Sequence, residues 1–348
     1  MTPSITVVVV NWNGGPLLAT CLKSVVDESH RCAETTGRDV EIVVVDNGSR
    51  DGSQDVTGTY PGVRLVQLPD NRGFGAGVNV GIARSTGDYV VLVNNDAVVF
   101  PGFLDALARP LDLDDQVGAV TGLVLLAGAF APGPGDGTRT FRGRGPTVWH
   151  RLPAGAKGRR LVNSRGNTVS RSGNGADVGW LEPIDNDPLV PAEGSTTTQV
   201  FGFNGGNAAL RRTALVSVGG FDESLFMYYE DTDLSWRLRH RGWDVLHAPG
   251  AVTDHQHSAS SGADSTFFAV HNARNRLVVA LVHGPWTMVL RAYGRTLVRL
   301  ARGPRRGPTA TALAQALRRV PTDVRRRRDL ARHATVPIES ITPLLEDD

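Results

Sequence analysis

Three carboxylates lie close together in one acidic segment, at Glu230, Asp231 and Asp233. They follow a glycine pair at 219–220, and their spacing predicts the first turn of a helix that Gly242 ends. The helix dipole favours acidic side chains there, so ordinary N-terminal capping is one interpretation. Capping seldom needs three carboxylates, however, and a carboxylate at the mouth of a sheet can take a proton from a hydroxyl group as a general base.

A second group of residues has the chemistry of a metal site. Asn94, Asn95 and Asp96 end an apolar run typical of a buried strand, and His255 follows a strand-like segment at 251–253. A carboxylate at the end of a parallel strand can hold a hard cation such as Mg²⁺ or Mn²⁺, which in turn binds phosphate oxygens. Single polar residues are also common after strands and on surfaces, so these residues alone leave that alternative open.

The glycine-rich segment 71–81 has to be compared with known phosphate-binding loops. A dinucleotide fingerprint should follow the first strand and have the pattern Gly-x-Gly-x-x-Gly. Here the segment follows the third predicted strand, and Val78 stands where the last glycine belongs. The sequence also lacks a Walker A pattern. Dehydrogenase and P-loop functions are therefore excluded.

These residues need a scaffold of alternating strands and helices. Continuous apolar runs, which suit parallel strands buried on both faces, predict strands at 5–10, 41–46, 63–67, 89–94 and 118–125. Helical spacing at 16–27 and 76–83, and Pro101 as a helix start, complete a series of βαβ units. We predict an α/β fold with a doubly wound, mostly parallel sheet, whose ligands bind beyond the carboxyl ends of the strands.

Polar residues follow three of the predicted strands. Asn11 begins the first such cluster, Asp46 and Ser49 belong to the second, and 94–96 is the third. Because the carboxyl ends of parallel strands meet at one edge of a sheet, we expect the three clusters to meet in one cleft.

Composition sets further limits. The chain has 348 residues, of which 41% are hydrophobic and 21% charged, so it can bury a sizeable core. Cys21 and Cys32, the only cysteines, are too few for a disulfide scaffold or a zinc site and fit a reducing cytoplasm. No uncharged stretch is long enough to span a bilayer, and no signal peptide is evident. We expect a cytoplasmic protein, with peripheral contact at the inner face of the membrane as an alternative.

Taken in chain order, these blocks resemble the family 2 inverting glycosyltransferases of the GT-A fold, in particular bacterial rhamnosyltransferase-like members. The resemblance extends over about residues 4–280, and a single block is weakly specific whereas the ordered set is highly specific. The matching blocks are Val-Val-Val-Asn-Trp-Asn at 8–13, Val-Asp-Asn-Gly-Ser-Arg-Asp-Gly at 45–52, the segments 71–81, 94–96 and 219–239, His255, and Arg-Asn-Arg at 274–276.

The resemblance implies a donor site, a metal site and a base. The implied donor-binding residues are Asn11, Asp46, Ser49, Asn71, Gly75, Asn79, Asn94, Asn95 and Asp96. Asp96 and His255 would hold Mg²⁺ or Mn²⁺ beside the diphosphate of a nucleotide-sugar donor. Asp231 would be the catalytic base of a single in-line displacement at the anomeric carbon, with Glu230 and Asp233 shaping its field or the acceptor pocket.

The resemblance also divides the chain into four parts. Residues 1–126 would form the nucleotide-sugar-binding half, and 201–262 the acceptor and catalytic half of the same domain. The segment 127–200, rich in Gly, Pro, Ser and Arg, would be an insertion near the acceptor site, either ordered or a partly disordered loop. Residues 263–348 would form a helical, arginine-rich extension.

One departure from the family pattern concerns the metal and the donor. Many relatives carry Asp-x-Asp where this chain has Asn94-Asn95-Asp96, so fewer anionic ligands remain for the metal. Asparagine-rich versions occur in the rhamnosyltransferase-like branch, which favours dTDP-L-rhamnose as the donor. We expect a glycan or lipid-linked acceptor, in the synthesis of cell-wall or surface polysaccharides or glycoconjugates.

A basic and apolar stripe is predicted on the helical segment 267–300. It comprises Arg291, Arg295, Arg299 and Arg302 beside Trp286, Leu290, Tyr293 and Leu297. An interfacial helix near a lipid-linked acceptor has this pattern, and so does an amphipathic helix packed on its own domain. Both interpretations remain open from the sequence.

Two other functions were weighed against transfer. A sugar-nucleotide pyrophosphorylase should carry a glycine-rich phosphate loop with an arginine after the first strand, and the segment 11–15 lacks that arginine. A non-catalytic GT-A relative that only binds nucleotide sugars or carbohydrates should have degenerate acidic motifs, whereas Asp96, Asp231 and Asp233 are present. Nucleic-acid binding is disfavoured because aromatic residues do not interleave with the basic ones.

Overall fold

The N-terminal part of the chain alternates strands with helices, as its apolar runs predict. The computed structural model describes residues 2–133, 140–143, 145–184, 196–256, 265–302 and 306–348. In chain order its first elements are β1 (Ile5–Asn11), α1 (Gly15–Thr36), β2 (Val40–Asp46), β3 (Val63–Gln67), α2 (Phe74–Ala83), β4 (Tyr89–Asn94), β5 (Ala97–Val99), α3 (Phe103–Leu113) and β6 (Val117–Leu126).

The remaining chain adds short strands and then helices. The insertion contributes β7 (Phe130–Pro132), β8 (Thr140–Arg142), β9 (Val148–Arg151), β10 (Arg160–Ser164), β11 (Asn167–Val169), β12 (Gly175–Asp177), β13 (Pro183–Ile184) and β14 (Thr198–Gln199). After it come β15 (Asn207–Arg211), α4 (Arg212–Val218), α5 (Glu230–His240), β16 (Asp244–His255), α6 (Thr266–His283), α7 (Trp286–Arg302), α8 (Arg306–His333) and α9 (Ile338–Ile341).

A large sheet organises these elements. Within the described residues it has eleven strands, with a main path β13-β10-β6-β15-β4-β1-β2-β3. Strands β3, β2, β1 and β4 are parallel, and β16 is parallel to β6, whereas β15 runs antiparallel between β4 and β6. The predicted α/β fold with a doubly wound, mostly parallel sheet is therefore confirmed. The sheet includes strands from 1–126, 127–200 and 201–262, so these three segments share one sheet, and the division itself stays a prediction.

The register of the parallel strands brings the polar strand ends together. Asn11 lies opposite Asp46 on the neighbouring strand β2. On the other side of β1, Val10 lies opposite Asn94 at the end of β4. The three polar clusters predicted to meet at one edge of the sheet are thus adjacent in the structure.

Helices cover both faces of the sheet and form separate cores. On one face, α1 and α3 bury Leu18, Leu22 and Leu107 against β1 and β4. On the other, α2, α4 and α5 pack against the same strands, and close approach of α2 depends on glycine. A Cβ atom at Gly81 would lie 2.4 Å from Cγ1 of Val8. The glycine-rich segment therefore serves helix–strand packing.

Three helix predictions differ from the structure. The sequence predicts that the first helix ends at 27, because Glu28 interrupts its apolar spacing. In the structure α1 continues to Thr36, and the Glu28 carboxylate is buried. That carboxylate accepts a hydrogen bond from the backbone N–H of Leu104 and so remains satisfied. The predicted helix 267–300 is two helices, divided at Gly284-Pro285. The arginine-rich tail, predicted to have a weak helical pattern, contains the long helix α8.

The C-terminal segment returns to the insertion. The backbone N–H of Glu346 donates to the carbonyl of Val169 at 3.0 Å, and the N–H of Arg171 donates to the carbonyl of Glu346 at 2.9 Å. Within the described residues, no helix is long and apolar enough to cross a membrane. The described parts of 127–200 form short strands, and the rest of that segment lies outside the described residues.

Candidate active site

A cleft of about 1480 Å³ opens at the carboxyl ends of the parallel strands. Residues from the strand ends, the insertion and the start of α5 line it together. Asn94, Asn95 and Asp96 form one side, and Glu230 and Asp231 contribute from α5. Part of the predicted donor set therefore shares one space with the predicted metal ligands and the predicted base, at the place where a doubly wound sheet binds its ligands.

The start of α5 is held by an unusual turn. Phe226, Tyr228 and Tyr229 have positive φ angles of 66°, 69° and 70°, a backbone conformation that costs energy for residues other than glycine. Asn275 of α6 stabilises the turn, since its Nδ2 donates to the carbonyls of Leu225, Met227 and Tyr228 at 3.0, 2.9 and 2.7 Å. The middle residue of the Arg-Asn-Arg block thus positions the acidic helix start.

Asp231 faces the cleft and is held by hydrogen bonds on both oxygens. The backbone N–H of Gly205 donates to Oδ2 at 3.2 Å, while Thr232 donates to Oδ1 from its N–H at 2.6 Å and from its hydroxyl at 3.2 Å. Burial raises the pKa of the Asp231 carboxyl, and these donors oppose part of the shift. A carboxylate with a raised pKa is a better proton acceptor, which is the property that a general base needs.

Glu230 and Asp233 differ in position and in charge. Glu230 lines the cleft, and burial followed by the charge of Asp231 raises its pKa to about 8, so it keeps its proton at neutral pH. Asp233 is fully buried behind the helix, where Arg237 pairs with it at 2.7 Å and Nε2 of His283 lies 2.9 Å from its Oδ1. The Asp233 carboxylate is enclosed by an internal ion-pair network and does not line the cleft; the alternative, that it shapes the field of Asp231, stays a prediction.

Asp96 and His255 lie together, as the metal prediction requires. Oδ1 of Asp96 is 3.0 Å from Nε2 of His255, and Oδ1 of Asn163 is 2.8 Å from Nδ1 of the same ring. Since the amide oxygen faces Nδ1, the ring proton belongs there and the lone pair of Nε2 points toward the carboxylate. Two lone pairs at this distance need a proton or a cation between them.

The residues present suit a divalent cation held mainly by a substrate. Asn94, which stands where many relatives have a carboxylate, places its Nδ2 3.4 Å from Nε2 of His255. Within the described residues, no group of three or more His, Cys, Asp or Glu side chains could hold a metal ion. Mg²⁺ commonly binds one or two protein ligands and completes its shell with phosphate oxygens and water. Asp96 and His255 fit that arrangement.

The strand-end residues form a buried hydrogen-bond network beneath the donor side of the cleft. Nδ2 of Asn11 donates to Oδ1 of Asp46 at 2.9 Å and to Oγ of Ser49 at 3.1 Å, and Oδ1 of Asn11 accepts from Nδ2 of Asn95 at 2.9 Å. Asn11 and Asp46 are almost fully buried and are not among the residues that line the cleft, where they were expected. Buried amides and carboxylates need partners, and these residues satisfy one another while they fix the loops above.

Other residues line the part of the cleft where Asn11 and Asp46 were expected. Trp12, which is 37% exposed, lines the cleft, as do the predicted residue Asn71 and the almost fully buried Asn47. Asn47 is held by Asn71, because its Nδ2 donates to Oδ1 of Asn71 at 3.1 Å. Sequence reasoning placed Trp12 and Asn47 in polar strand-end clusters without giving them a role.

Two predicted donor residues lie elsewhere. The side-chain amide of Asn79 makes two hydrogen bonds to the backbone of Phe221. Its Nδ2 donates to the Phe221 carbonyl and its Oδ1 accepts from the Phe221 N–H, each at 2.9 Å. Gly75 permits close packing, since a Cβ atom there would lie 3.1 Å from Cβ of Phe221. Both residues therefore join α2 to the loop before α5 and do not line the cleft.

The insertion supplies site residues that the sequence reasoning did not single out. Asp177, at the end of β12, and Asn163 of β10 both line the cleft, together with Trp149 and Trp180. Asp177 accepts a hydrogen bond from Nδ2 of Asn204 at 3.3 Å. The only signal for Asp177 was its position within the segment 127–200, for which the resemblance implies an insertion near the acceptor site.

Comparisons with known proteins agree with this geometry. The family model described as Glycosyl transferase family 2 matches residues 6–130, and the model described as Glycosyl transferase family group 2 matches residues 192–293. The two matched regions contain the strand-end clusters, the acidic start of α5 and His255.

Curated relatives and solved structures extend the likeness. The N-acetylglucosaminyl-diphospho-decaprenol L-rhamnosyltransferase of Mycobacterium tuberculosis is 29% identical over 304 residues, which is 82% of this chain and 87% of that protein. The pre-mycofactocin glycosyltransferase of the same organism is 27% identical over 64% of this chain and 39% of its own length. A crystal structure of GalNAc-T7 with UDP, GalNAc and Mn²⁺ has a TM-score of 0.59 at 14% identity, and it covers 97% of this chain and 59% of that chain. The structural likeness confirms the predicted GT-A fold.

Proposed function

Because this chain belongs to the family 2 glycosyltransferases, with a rhamnosyltransferase among its relatives, we propose that it transfers L-rhamnose from dTDP-L-rhamnose to a hydroxyl group of a lipid-linked glycan. Transfer occurs with inversion at the anomeric carbon. The observation that carries the proposal is the position of Asp231, which faces the same cleft as the Asp96–His255 pair. A base and a diphosphate site on one cleft are the two parts that a single displacement needs.

The proposed mechanism assigns the proton to Asp231. The acceptor oxygen attacks the anomeric carbon of the donor, its proton passes to the Asp231 carboxylate, and the bond from that carbon to the nucleotide diphosphate breaks. Gly205 and Thr232 hold the carboxylate in place through its two oxygens, so little reorganisation is needed before proton transfer. Glu230, whose raised pKa keeps it neutral, adds no second negative charge to the start of α5.

The proposed cofactor is Mg²⁺ or Mn²⁺, which the GalNAc-T7 structure contains as Mn²⁺. Asp96 and His255 would hold the ion. When bound, it neutralises the charge that develops on the departing diphosphate. Asn163 orients the His255 ring through Nδ1, and Asn11 orients the Asn95 amide, so the chain fixes this side of the cleft through hydrogen bonds.

A thermal-shift screen of nucleotide sugars, with and without Mn²⁺, tests the donor. Ligand binding to the folded state stabilises it by RT ln(1 + [L]/Kd), about 2.7 kcal/mol at a hundredfold excess over Kd. We expect dTDP-L-rhamnose with Mn²⁺ to raise the Tm most, and Asp96→Ala to remove the Mn²⁺-dependent part. A larger shift with another sugar nucleotide would disprove the rhamnose assignment, and no shift with any of them would contradict the proposed function.

A lipid-linked acceptor also calls for contact with a membrane surface, and we propose that α7 makes it. Its outer face exposes Trp286, Leu290 and Leu297, which are 60%, 73% and 55% exposed, while Met288 and Ala292 face the core. Arg291, the residue after Leu290, is exposed as well and flanks this face. Exposed apolar side chains flanked by an arginine suit an anionic lipid surface.

Two members of the predicted stripe belong to the fold instead. Tyr293 is largely buried, and burial raises the pKa of its hydroxyl to about 12. Arg295 binds the insertion, where its Nη1 donates to Oγ of Ser172 at 2.8 Å. We expect co-sedimentation with vesicles containing phosphatidylglycerol, and weaker binding by Leu290→Ser and Leu297→Ser together. Binding that does not depend on anionic lipid, or on these two residues, would refute the membrane proposal.

A further inference from the structure

Asp177 is a second carboxylate on the acceptor side of the cleft, and its position is fixed. Strand β12 pairs with β11, where Asp177 lies opposite Asn167. Nδ2 of Asn204 donates to Oδ1 of Asp177 at 3.3 Å, and Oδ1 of Asn204 accepts from the N–H of Gly206 at 3.0 Å. The second bond fixes the orientation of the Asn204 amide, so that its NH₂ group faces Asp177.

Asp177 and Asp231 accept hydrogen bonds from two consecutive residues of the same turn. Asn204 binds Asp177 through its side chain, and the next residue, Gly205, binds Asp231 through its backbone N–H at 3.2 Å. Both carboxylates line the cleft. Burial, and then the charge of Asp231, raise the pKa of Asp177 to about 6, so the two groups repel each other at neutral pH.

A further oxygen in the same place lacks a partner. Glu230 lines the cleft, and only 9% of the residue is exposed. Its Oε2 atom is buried and has no hydrogen-bond partner among the described residues. Buried polar atoms in native proteins are nearly always satisfied, which points to a ligand that brings hydrogen-bonding groups.

We infer that Asp177 binds the acceptor and accepts a hydrogen bond from a hydroxyl group that neighbours the one deprotonated by Asp231. The site therefore selects a sugar acceptor with two neighbouring hydroxyl groups, one for each carboxylate. Two hydroxyl donors satisfy both groups and offset their repulsion, which a single hydroxyl cannot do. This inference rests on the proposed function, since it names the substrate class of the same transfer site.

The test compares Asp177→Asn with wild type. The probes are dTDP-L-rhamnose, N-acetylglucosaminyl diphosphate on a short polyprenol chain, and analogues of that acceptor that each lack one free hydroxyl group. We expect Asp177→Asn to lower kcat/KM for the acceptor by about 10- to 100-fold, mostly through KM, because a hydrogen bond to a charged group is lost. Slow hydrolysis of the donor without acceptor should fall by a much smaller factor than kcat/KM for the acceptor, since this reaction makes no acceptor contact.

The analogues identify the contact. With wild type, removal of one particular hydroxyl group from the acceptor should lower kcat/KM by a similar factor. With Asp177→Asn, the same analogue should lower kcat/KM no further, because both changes remove the same hydrogen bond. Additive losses with every analogue would overturn the inference, and so would an equal fall in donor hydrolysis. Asp347→Asn is the matched control: its side chain is 93% exposed and pairs with Arg171 of the same insertion.

Failure of the proposed function has a different signature. Wild-type protein that neither hydrolyses dTDP-L-rhamnose nor transfers it to any of these acceptors would refute the transfer reaction, and the inference with it. Wild-type transfer combined with an unchanged acceptor KM in Asp177→Asn would refute the inference alone. Melting temperatures of both variants, measured alongside, show whether a loss comes from unfolding; a loss that follows the melting temperature would count against acceptor contact.

Discussion

At the residue scale, three carboxylates that look alike in the sequence have separate roles in the structure. Asp231 faces the cleft, Glu230 lies beside it with a pKa that burial raises, and Asp233 lies in an internal ion-pair network. The sequence predicts their common place at a helix start, because capping and the helix dipole act locally. Their separation depends on which way each side chain points from α5, and on partners from α6 and α8 that are distant in the chain.

Asp233→Asn should therefore weaken the fold more than the chemistry. Burial alone would raise the pKa of Asp233, but the charge of Arg237, the hydrogen bond to His283 and the charge of Arg326 hold it well below its usual range. Its contribution to stability is accordingly present above the unfolded pKa of about 3.9 and is lost as pH falls further. At pH 7 the substitution leaves buried arginine charge unpaired, and we expect a loss of about 3–5 kcal/mol in urea unfolding.

The control for this prediction is Asp329→Asn. Asp329 pairs with Arg332 on the surface and is 62% exposed, so we expect a change within about 0.5 kcal/mol. Asp233→Asn protein that unfolds like wild type but transfers sugar slowly would show that the carboxylate acts in the reaction itself.

The pH dependence of the reaction should report Asp231. A general base works only when ionised, and burial raises the pKa of this carboxyl. We expect kcat at saturating acceptor to rise with pH and to level off above the raised pKa of Asp231, so the acid limb of kcat lies at higher pH than the ordinary carboxylate value of about 3.9. Asp231→Asn should remove the limb together with most of the rate. A wild-type limb at the ordinary value would argue against a buried base.

At the scale of elements, the strands and their polar ends were predictable, and the purpose of the glycines was not. Apolar runs mark buried parallel strands directly, and β3 and β4 have the predicted bounds. The glycine-rich segment resembles a ligand loop in the sequence, yet Gly77 and Gly81 face Val10 and Val8 of β1. A glycine needed for a close approach to the backbone of a ligand and one needed for packing have the same sequence signature, because both lack a Cβ atom.

Gly81→Val tests the packing role. The added Cβ atom would lie 2.4 Å from Cγ1 of Val8 in the core, so α2 must move away from the sheet. We expect the free energy of unfolding in urea to fall by about 1–3 kcal/mol. The change in donor Kd, expressed as a free energy, should be smaller than this loss. Gly58→Ala is the control, since a Cβ atom there meets no heavy atom within 4 Å. An unchanged stability with a lost donor site would instead indicate direct contact with the donor.

At the scale of the whole molecule, the site is assembled from parts that are far apart in the chain. The resemblance implies that the segment 127–200 is an insertion, but the position of Asp177 in that segment depends on the pairing of β12 with β11 and on Asn204. The return of the chain end to Val169 was equally beyond prediction, because such pairing has no local sequence pattern. The meeting of the polar strand ends at one edge of the sheet was predictable, whereas the partner of each buried side chain was not.

The most direct test of the central claim is product analysis of the transfer reaction with wild type and Asp231→Asn. With dTDP-L-rhamnose, Mn²⁺ and N-acetylglucosaminyl diphosphate on a short polyprenol, we expect NMR to show a rhamnosylated product whose anomeric configuration is opposite to that of the donor. Asp231→Asn should lower kcat by about a hundred- to ten-thousandfold while the donor Kd stays unchanged. A product with retained configuration, or near-normal turnover by Asp231→Asn, would contradict the claim that Asp231 is the base of an inverting displacement.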